Sequence, residues 1–233
     1  MFAMWDPTYW LFALPALLLA LIAQAWVQSM YRKYLQTPNS SGLTGVEAAQ
    51  RVMQTAGLYL KIEGAPGDLS DHYDPRSKVL RLSRNVATRA SVASVAIVAH
   101  EIGHAQQDAQ AYAPMRLRSG LVPMVSFTSW LGPILFLLGL WLNIAQLAWL
   151  GVFAFAGATV FALITLPVEI NASRRGLRLL EQSGIPMSKA EMQGARRVLN
   201  AAAMTYVAAL AQSISTLLYY VFLLGGGRGR RRR

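Results

Sequence analysis

The sequence predicts a mostly helical integral membrane protein, with about four transmembrane helices and a small α+β domain set between the first and the second. Three observations carry that expectation. The hydrophobic fraction is 54% and the charged fraction only 14%, against about a quarter charged in soluble domains. Long stretches without a single ionisable residue recur along the chain. Between the first two of them lies a stretch with the turn residues, capping signals and mixed charge of a folded domain.

Residues 9–27 contain no charge, and at about 1.5 Å per residue they nearly cross a hydrocarbon core of about 30 Å. They read as the first transmembrane helix. A cleavable signal peptide is the rival reading, because Ala23-Gln24-Ala25 offers a small-residue pattern, but the preceding region carries Asp6 rather than a Lys or Arg. A retained anchor is the expectation.

Residues 28–119 read as a small α+β domain. Asn39-Ser40-Ser41-Gly42 is a turn-rich entry. Thr44 and Glu47 have the spacing of a capping box, which opens a short helix ending near Gly57. Leu58, Leu60 and Ile62 alternate with Tyr59 and Lys61, and Val79-Leu80-Arg81-Leu82 is a second strand. The connection between them, rich in Gly, Pro and Asp, reads as turn and holds His72 and Tyr73. Residues 91–111, rich in Ala and Val, read as a helix, and Tyr112-Ala113-Pro114 ends it because proline pushes the residue before it out of the helical region.

Residues 120–168 lack any Asp, Glu, Lys, Arg or His. The stretch has room for two spans, with a tight turn at residues 143–146 making a helical hairpin. Residues 169–199 read as a ligand-bearing helix and basic segment with Arg174, Arg175, Arg178, Lys189, Arg196 and Arg197. Residues 200–224 form a fourth span, whose Thr205, Gln212, Ser213, Ser215 and Thr216 suit contact with other helices. Residues 225–233 are a basic, low-complexity tail expected to be disordered, with affinity for acidic lipid.

The net charge is +11. The basic residues flank apolar runs instead of forming a groove-reading module, which favours the membrane surface over nucleic acid as the partner. Cysteine is absent, so there is no disulfide framework and no thiolate ligand. A metal site here must use His and carboxylate.

His100-Glu101-Ile102-Gly103-His104 supplies such a site, and it holds two of the three His in the chain. Two His four apart stand on one helix face, so both imidazoles can reach one ion. Glu101 beside them can act as general base, accepting a proton from metal-bound water. A hydrolytic zinc also needs a third protein ligand and an open position. The extended pattern with a further His fails, since Gln107 and Gln110 stand at its Gly and His positions. Asp108 is on the His face but a further turn away, about 6 Å along the axis and too far for its side chain. Glu169 is the first ionisable residue after the apolar block. A two-span hairpin returns to the side it left, so Glu169 can meet the motif helix. The alternative is that Glu169 only marks a membrane boundary.

Several motifs together resemble one family. His100-Glu101-Ile102-Gly103-His104-Ala105-Gln106-Gln107, Ser41-Gly42-Leu43-Thr44-Gly45, Asp71-His72-Tyr73-Asp74-Pro75, and Thr165-Leu166-Pro167-Val168-Glu169 followed by Ala172-Ser173-Arg174-Arg175 are similar to the YugP-like neutral zinc metallopeptidases of the bacterial membrane. The likeness runs over almost the whole chain. It implies zinc as the cofactor, with the Glu matching Glu169 as third ligand beside His100 and His104. HtpX-type membrane proteases are more distantly similar, with a Glu on a later helix and often an Asp four residues on. Here that position is Ser173.

His72 and Tyr73 are candidate donors to a tetrahedral oxyanion or contacts for substrate. Residues 58–63 and 78–83 are candidate edge strands that could add a substrate backbone as an extra strand. Arg32 and Lys33 follow the first span while only Asp6 precedes it. The positive-inside rule then puts the amino terminus outside and the zinc domain in the cytoplasm of a multi-pass protein of the bacterial inner membrane. The terminal arginines oppose that orientation if the fourth span is complete.

The resulting expectation is a membrane-embedded zinc endopeptidase acting on membrane-associated or misfolded proteins. Two rivals remain: a zinc hydrolase with a non-peptide substrate, and a membrane scaffold or adaptor whose metal is structural.

Overall fold

The computed structural model describes residues 7–226. Asp6 and the arginines at the carboxyl end therefore lie outside the described residues. The chain runs α1 (Pro7–Leu35), α2 (Gly45–Ala56), β1 (Lys61–Ala65), β2 (His72–Asp74), β3 (Val79–Ser83), α3 (Arg84–Thr88), α4 (Val92–Ala109), α5 (Ala113–Trp141), α6 (Ala145–Gln182) and α7 (Lys189–Gly226). Four of the helices, α1, α5, α6 and α7, are long and apolar enough to cross a membrane. The protein is mostly helical with one small sheet.

Two compact units divide the chain. One comprises the described residues of Met1–Ile22, Leu117–Leu166 and Thr205–Arg233, and the other comprises Ala23–Arg116 and Pro167–Met204. The second therefore takes in the later part of α6 and the first part of α7 as well as all the residues between α1 and α5.

In the first unit the turn between α5 and α6 is made by Leu142, Asn143 and Ile144. Asn143 adopts a left-handed φ of 57°, a conformation its short polar side chain tolerates, and the Ile144 N–H returns to the Gly139 carbonyl at 2.9 Å. Phe136, Ala148 and Val152 are buried together, with Phe136 stacked on Tyr220 at 3.9 Å between ring centroids. Two hydroxyls in the fourth apolar run bond to other helices. Ser213 meets Thr159 at 2.7 Å, and Ser215 donates to the Phe12 carbonyl at 2.5 Å. Leu11, Phe127, Trp130, Trp141 and Phe153 stay exposed, an outer surface that suits lipid.

The second unit contains the sheet and the larger core. Thr44 caps α2 reciprocally: its side chain accepts from the Glu47 N–H at 3.4 Å, and Glu47 accepts from the Thr44 N–H at 2.8 Å. Thr44→Ala should therefore lower stability by about 1 kcal/mol, read as a drop in thermal midpoint with metal content unchanged.

The sheet order is β1-β3-β2, with β1 parallel and β2 antiparallel to β3. This corrects the expectation that residues 78–83 form an edge strand. β3 is covered on both sides, so it cannot take a substrate strand. β1 is an edge, and the other edge is β2, which falls in the stretch expected to be turn. Three residues are too few for a period-2 pattern to show in sequence.

Helix α4 is the centre of the unit. Ser91 caps it by accepting from the Ser94 N–H at 3.1 Å. Val92, Val95, Val98, Ala99 and Ile102 are buried among residues of α2, α3, β3, α6 and α7. A helix apolar on nearly all faces must be enclosed to be stable, and His100, Glu101 and His104 are thereby held on a rigid element.

Candidate metal centre

The crossing of α4 and α6 brings the site together, and glycine permits it. A Cβ on Gly103 would lie 2.3 Å from the Ala172 carbonyl oxygen, and one on Gly176 would lie 2.5 Å from the Ala99 carbonyl oxygen. The two backbones touch at these positions, closer than any side chain allows. Residues 169, 173 and 176 recur at helical spacing, so the face of α6 that holds Gly176 against α4 also presents Ser173 and Glu169 to the motif.

Glu169 Oε2 lies 3.3 Å from His100 Nε2 and 3.3 Å from His104 Nε2. The donor atoms of the three residues all lie within 4.8 Å of one another. Two ligand atoms each about 2.0–2.1 Å from a tetrahedral zinc stand roughly 3.3 Å apart. The donor set suits a zinc ion in kind, and the two Glu169–His distances match that spacing. Glu169 is 2% exposed. A carboxylate so deeply enclosed requires a cationic or hydrogen-bonding partner, and the two imidazole Nε2 atoms at 3.3 Å stand where one is needed.

Both His have partners on their outer nitrogens. His100 Nδ1 lies 3.0 Å from Ser173 Oγ, and His104 Nδ1 lies 3.0 Å from Gln107 Oε1. Such contacts orient an imidazole toward its metal. Ser173 thus meets His100 across the α4–α6 crossing.

Glu101 projects from the same helix but is not among the three residues grouped at ligand spacing. Its Oε2 accepts the backbone N–H of Tyr73 at 2.9 Å, which ties the carboxylate to edge strand β2. The residue is 8% exposed, and burial pushes its pKa up to about 7, against the opposing pull of His100 and the Tyr73 bond. A carboxyl poised there can both take and release a proton near neutrality.

The two loop candidates behave differently. The Tyr73 hydroxyl is buried and donates to Asp108 at 2.7 Å, and Lys78 also pairs with Asp108. Burial and the Asp108 carboxylate both raise the Tyr73 pKa. What Tyr73 offers the site is its backbone N–H. His72 is exposed and its Nδ1 is 2.8 Å from the Ser70 carbonyl. The proton of that contact must sit on Nδ1, because a carbonyl only accepts, so Nε2 can donate only when the ring is doubly protonated. Among the described residues His72 makes no hydrogen bond to the ligand group. Asp108, too distant by helix geometry to be a ligand, is engaged by Tyr73 and Lys78.

Three contributors escaped the sequence reading: the Tyr73 N–H, Gln107 as the partner of His104, and Asn171 behind it. One signal for Gln107 was available. An amide three residues after His104 on the same helix is placed to meet that His.

A family described as "Putative neutral zinc metallopeptidase" matches residues 9–225. The chain is 42% identical over 214 residues to a Bacillus subtilis (strain 168) protein named "Putative membrane protease YugP", a match covering 91% of this chain and 95% of that protein. No solved structure matches the chain.

Proposed function

The chain belongs to this family of neutral zinc metallopeptidases, and from that membership we propose that it is a membrane-embedded endopeptidase hydrolysing membrane-associated or misfolded proteins. The observation that supports the reading most is the grouping of His100, His104 and Glu169 at zinc-ligand spacing beside a carboxylate, Glu101, that is not part of the group.

A zinc ion bound there supplies Lewis acidity toward a water molecule and the scissile carbonyl. The protein's own steps follow from Glu101. Its Oε2 is fixed by the Tyr73 N–H, leaving Oε1 to take a proton from the attacking water. The protonated carboxyl then delivers that proton to the departing amine, so that a neutral amine leaves. His72, once protonated, is the group we assign to the developing oxyanion or to substrate. Edge strands β1 and β2 each offer backbone groups to an extended polypeptide.

Arg32 and Lys33 near the end of α1, and Arg174, Arg175 and Arg178 in the later part of α6, support an orientation with the zinc domain in the cytoplasm. The domain's place between first and second spans, and a bacterial cell membrane as its location, belong to the same proposal.

The test is proteolysis of an unfolded labelled polypeptide by the full-length protein in detergent micelles, with zinc measured by elemental analysis. Chelation should abolish cleavage and added zinc should restore it. Glu169→Ala and His104→Ala should bring bound zinc well below stoichiometric and remove cleavage together. Stoichiometric zinc with no cleavage of unfolded or membrane-protein substrates would instead make the chain a scaffold with a structural metal.

A further inference from the structure

A chain of hydrogen bonds runs from His104 to a guanidinium, and its direction can be deduced without seeing a hydrogen atom. Arg175 Nε lies 2.7 Å from Asn171 Oδ1, and Arg175 Nη1 lies 3.1 Å from Gln106 Oε1 and 2.5 Å from Gln110 Oε1. The Tyr112 ring lies beneath the guanidinium, 5.6 Å away at its centroid. Arginine has donors only and does not lose its proton. Asn171 must therefore present oxygen to it, since its amide nitrogen would set donor against donor.

The same oxygen faces Gln107 at 3.0 Å, so the Gln107 atom there must be the NH2 group. A second neighbour demands the same thing, because that nitrogen also lies 2.9 Å from the Val168 carbonyl oxygen. Both amide hydrogens are then engaged, and the Gln107 side chain is fully buried. Its remaining atom, Oε1, is 3.0 Å from His104 Nδ1. An oxygen at that distance requires a proton on Nδ1. Nε2, which faces Glu169 Oε2 at 3.3 Å, is then the ring nitrogen left for a metal to take.

We propose that Arg175, Asn171 and Gln107 form a positioning relay that keeps a proton on His104 Nδ1 and so reserves Nε2 for metal. The proposal rests on the reading of His104 as a ligand. His100 has no such constraint from its partner, because the Ser173 hydroxyl can donate or accept. His104 is the preorganised ligand of the pair and His100 the adaptable one.

Asn171 acts through one oxygen that accepts twice, so Asp can replace it and Leu cannot. The relay predicts that Gln107→Leu and Asn171→Leu weaken zinc binding by roughly 10–100-fold, whereas Asn171→Asp restores affinity to near that of the parent. Affinity is read by competition with a chromophoric chelator on the full-length protein in detergent, with circular dichroism to show that each variant is folded.

The direct readout needs no metal. With three His in the chain, nitrogen-15 spectra of the metal-free protein resolve each ring, assigned with His72→Gln and His100→Gln variants. His104 should show a proton on Nδ1 in the parent and Asn171→Asp proteins, and only a partly occupied one in Gln107→Leu and Asn171→Leu. A parent ring with no proton on Nδ1, or Nδ1 occupancy unmoved by Gln107→Leu, would overturn the relay. A parent protein with the expected Nδ1 proton but no zinc affinity would refute the ligand reading and leave the relay standing.

Discussion

Glu101→Gln is expected to leave zinc bound and to lower peptide hydrolysis by roughly 10²–10⁴-fold, the usual contribution of a positioned general acid–base. Three features make this variant informative. Gln is nearly isosteric, and its oxygen can still accept the Tyr73 N–H that now holds Oε2. Glu101 is not among the three residues grouped at ligand spacing, so metal content should match that of the parent. Burial already opposes the charged form of this residue, so a neutral amide should leave the thermal midpoint unchanged or raise it. The measurement is initial cleavage rate per bound zinc. Parent-like cleavage by the zinc-loaded variant would remove Glu101 from the mechanism.

Gly103→Ala should have the second-largest effect, although residue 103 contributes no side chain to the chemistry. The added methyl would meet the Ala172 carbonyl oxygen at 2.3 Å, with further backbone atoms at 3.1 and 3.2 Å. Backbone cannot rotate out of the way, so α4 and α6 must separate. Overpacking of this kind costs about 1–3 kcal/mol. The larger consequence is at the ligands, because His100 and His104 lie on one of the separated helices and Glu169 on the other. Zinc affinity should fall by at least as much as for a lost orienting partner, roughly 10–100-fold.

Gly176→Ala strikes the same contact from the other side, at 2.5 Å from the Ala99 carbonyl oxygen. The two substitutions should therefore be non-additive. Gly120→Ala is the control, since its Cβ would meet nothing within 4 Å. Chelator competition and thermal unfolding read both effects. Parent-like affinity in Gly103→Ala would show that close helix approach does not set the site.

Local features were open to sequence reading because their physics lies within a turn or two of the chain. Thr44 and Glu47 satisfy each other's backbone at a separation of three residues. His100 and His104 share a face because 3.6 residues make a turn, and three uncharged runs, one with room for two spans, give the four helices long and apolar enough to cross a bilayer. Asn143 and its neighbours could be read as a turn because apolar residues flank them on both sides.

What tertiary structure decided is pairing at long separation. Residues 72–74 become an edge strand only because β3 has an open side for them, and β3 is central only because β1 takes its other side. Gln107 orients His104 only because Val168 and Asn171, more than sixty residues along, meet its amide. Glu169 could be nominated by its position after an apolar block, but its 3.3 Å distances to both imidazoles depend on two glycines letting backbones touch. Sequence periodicity reports which residues share a face of a helix, so candidate ligands on one helix could be nominated from it. It is silent on where two helices cross, and the crossing of α4 and α6 decided how those residues meet.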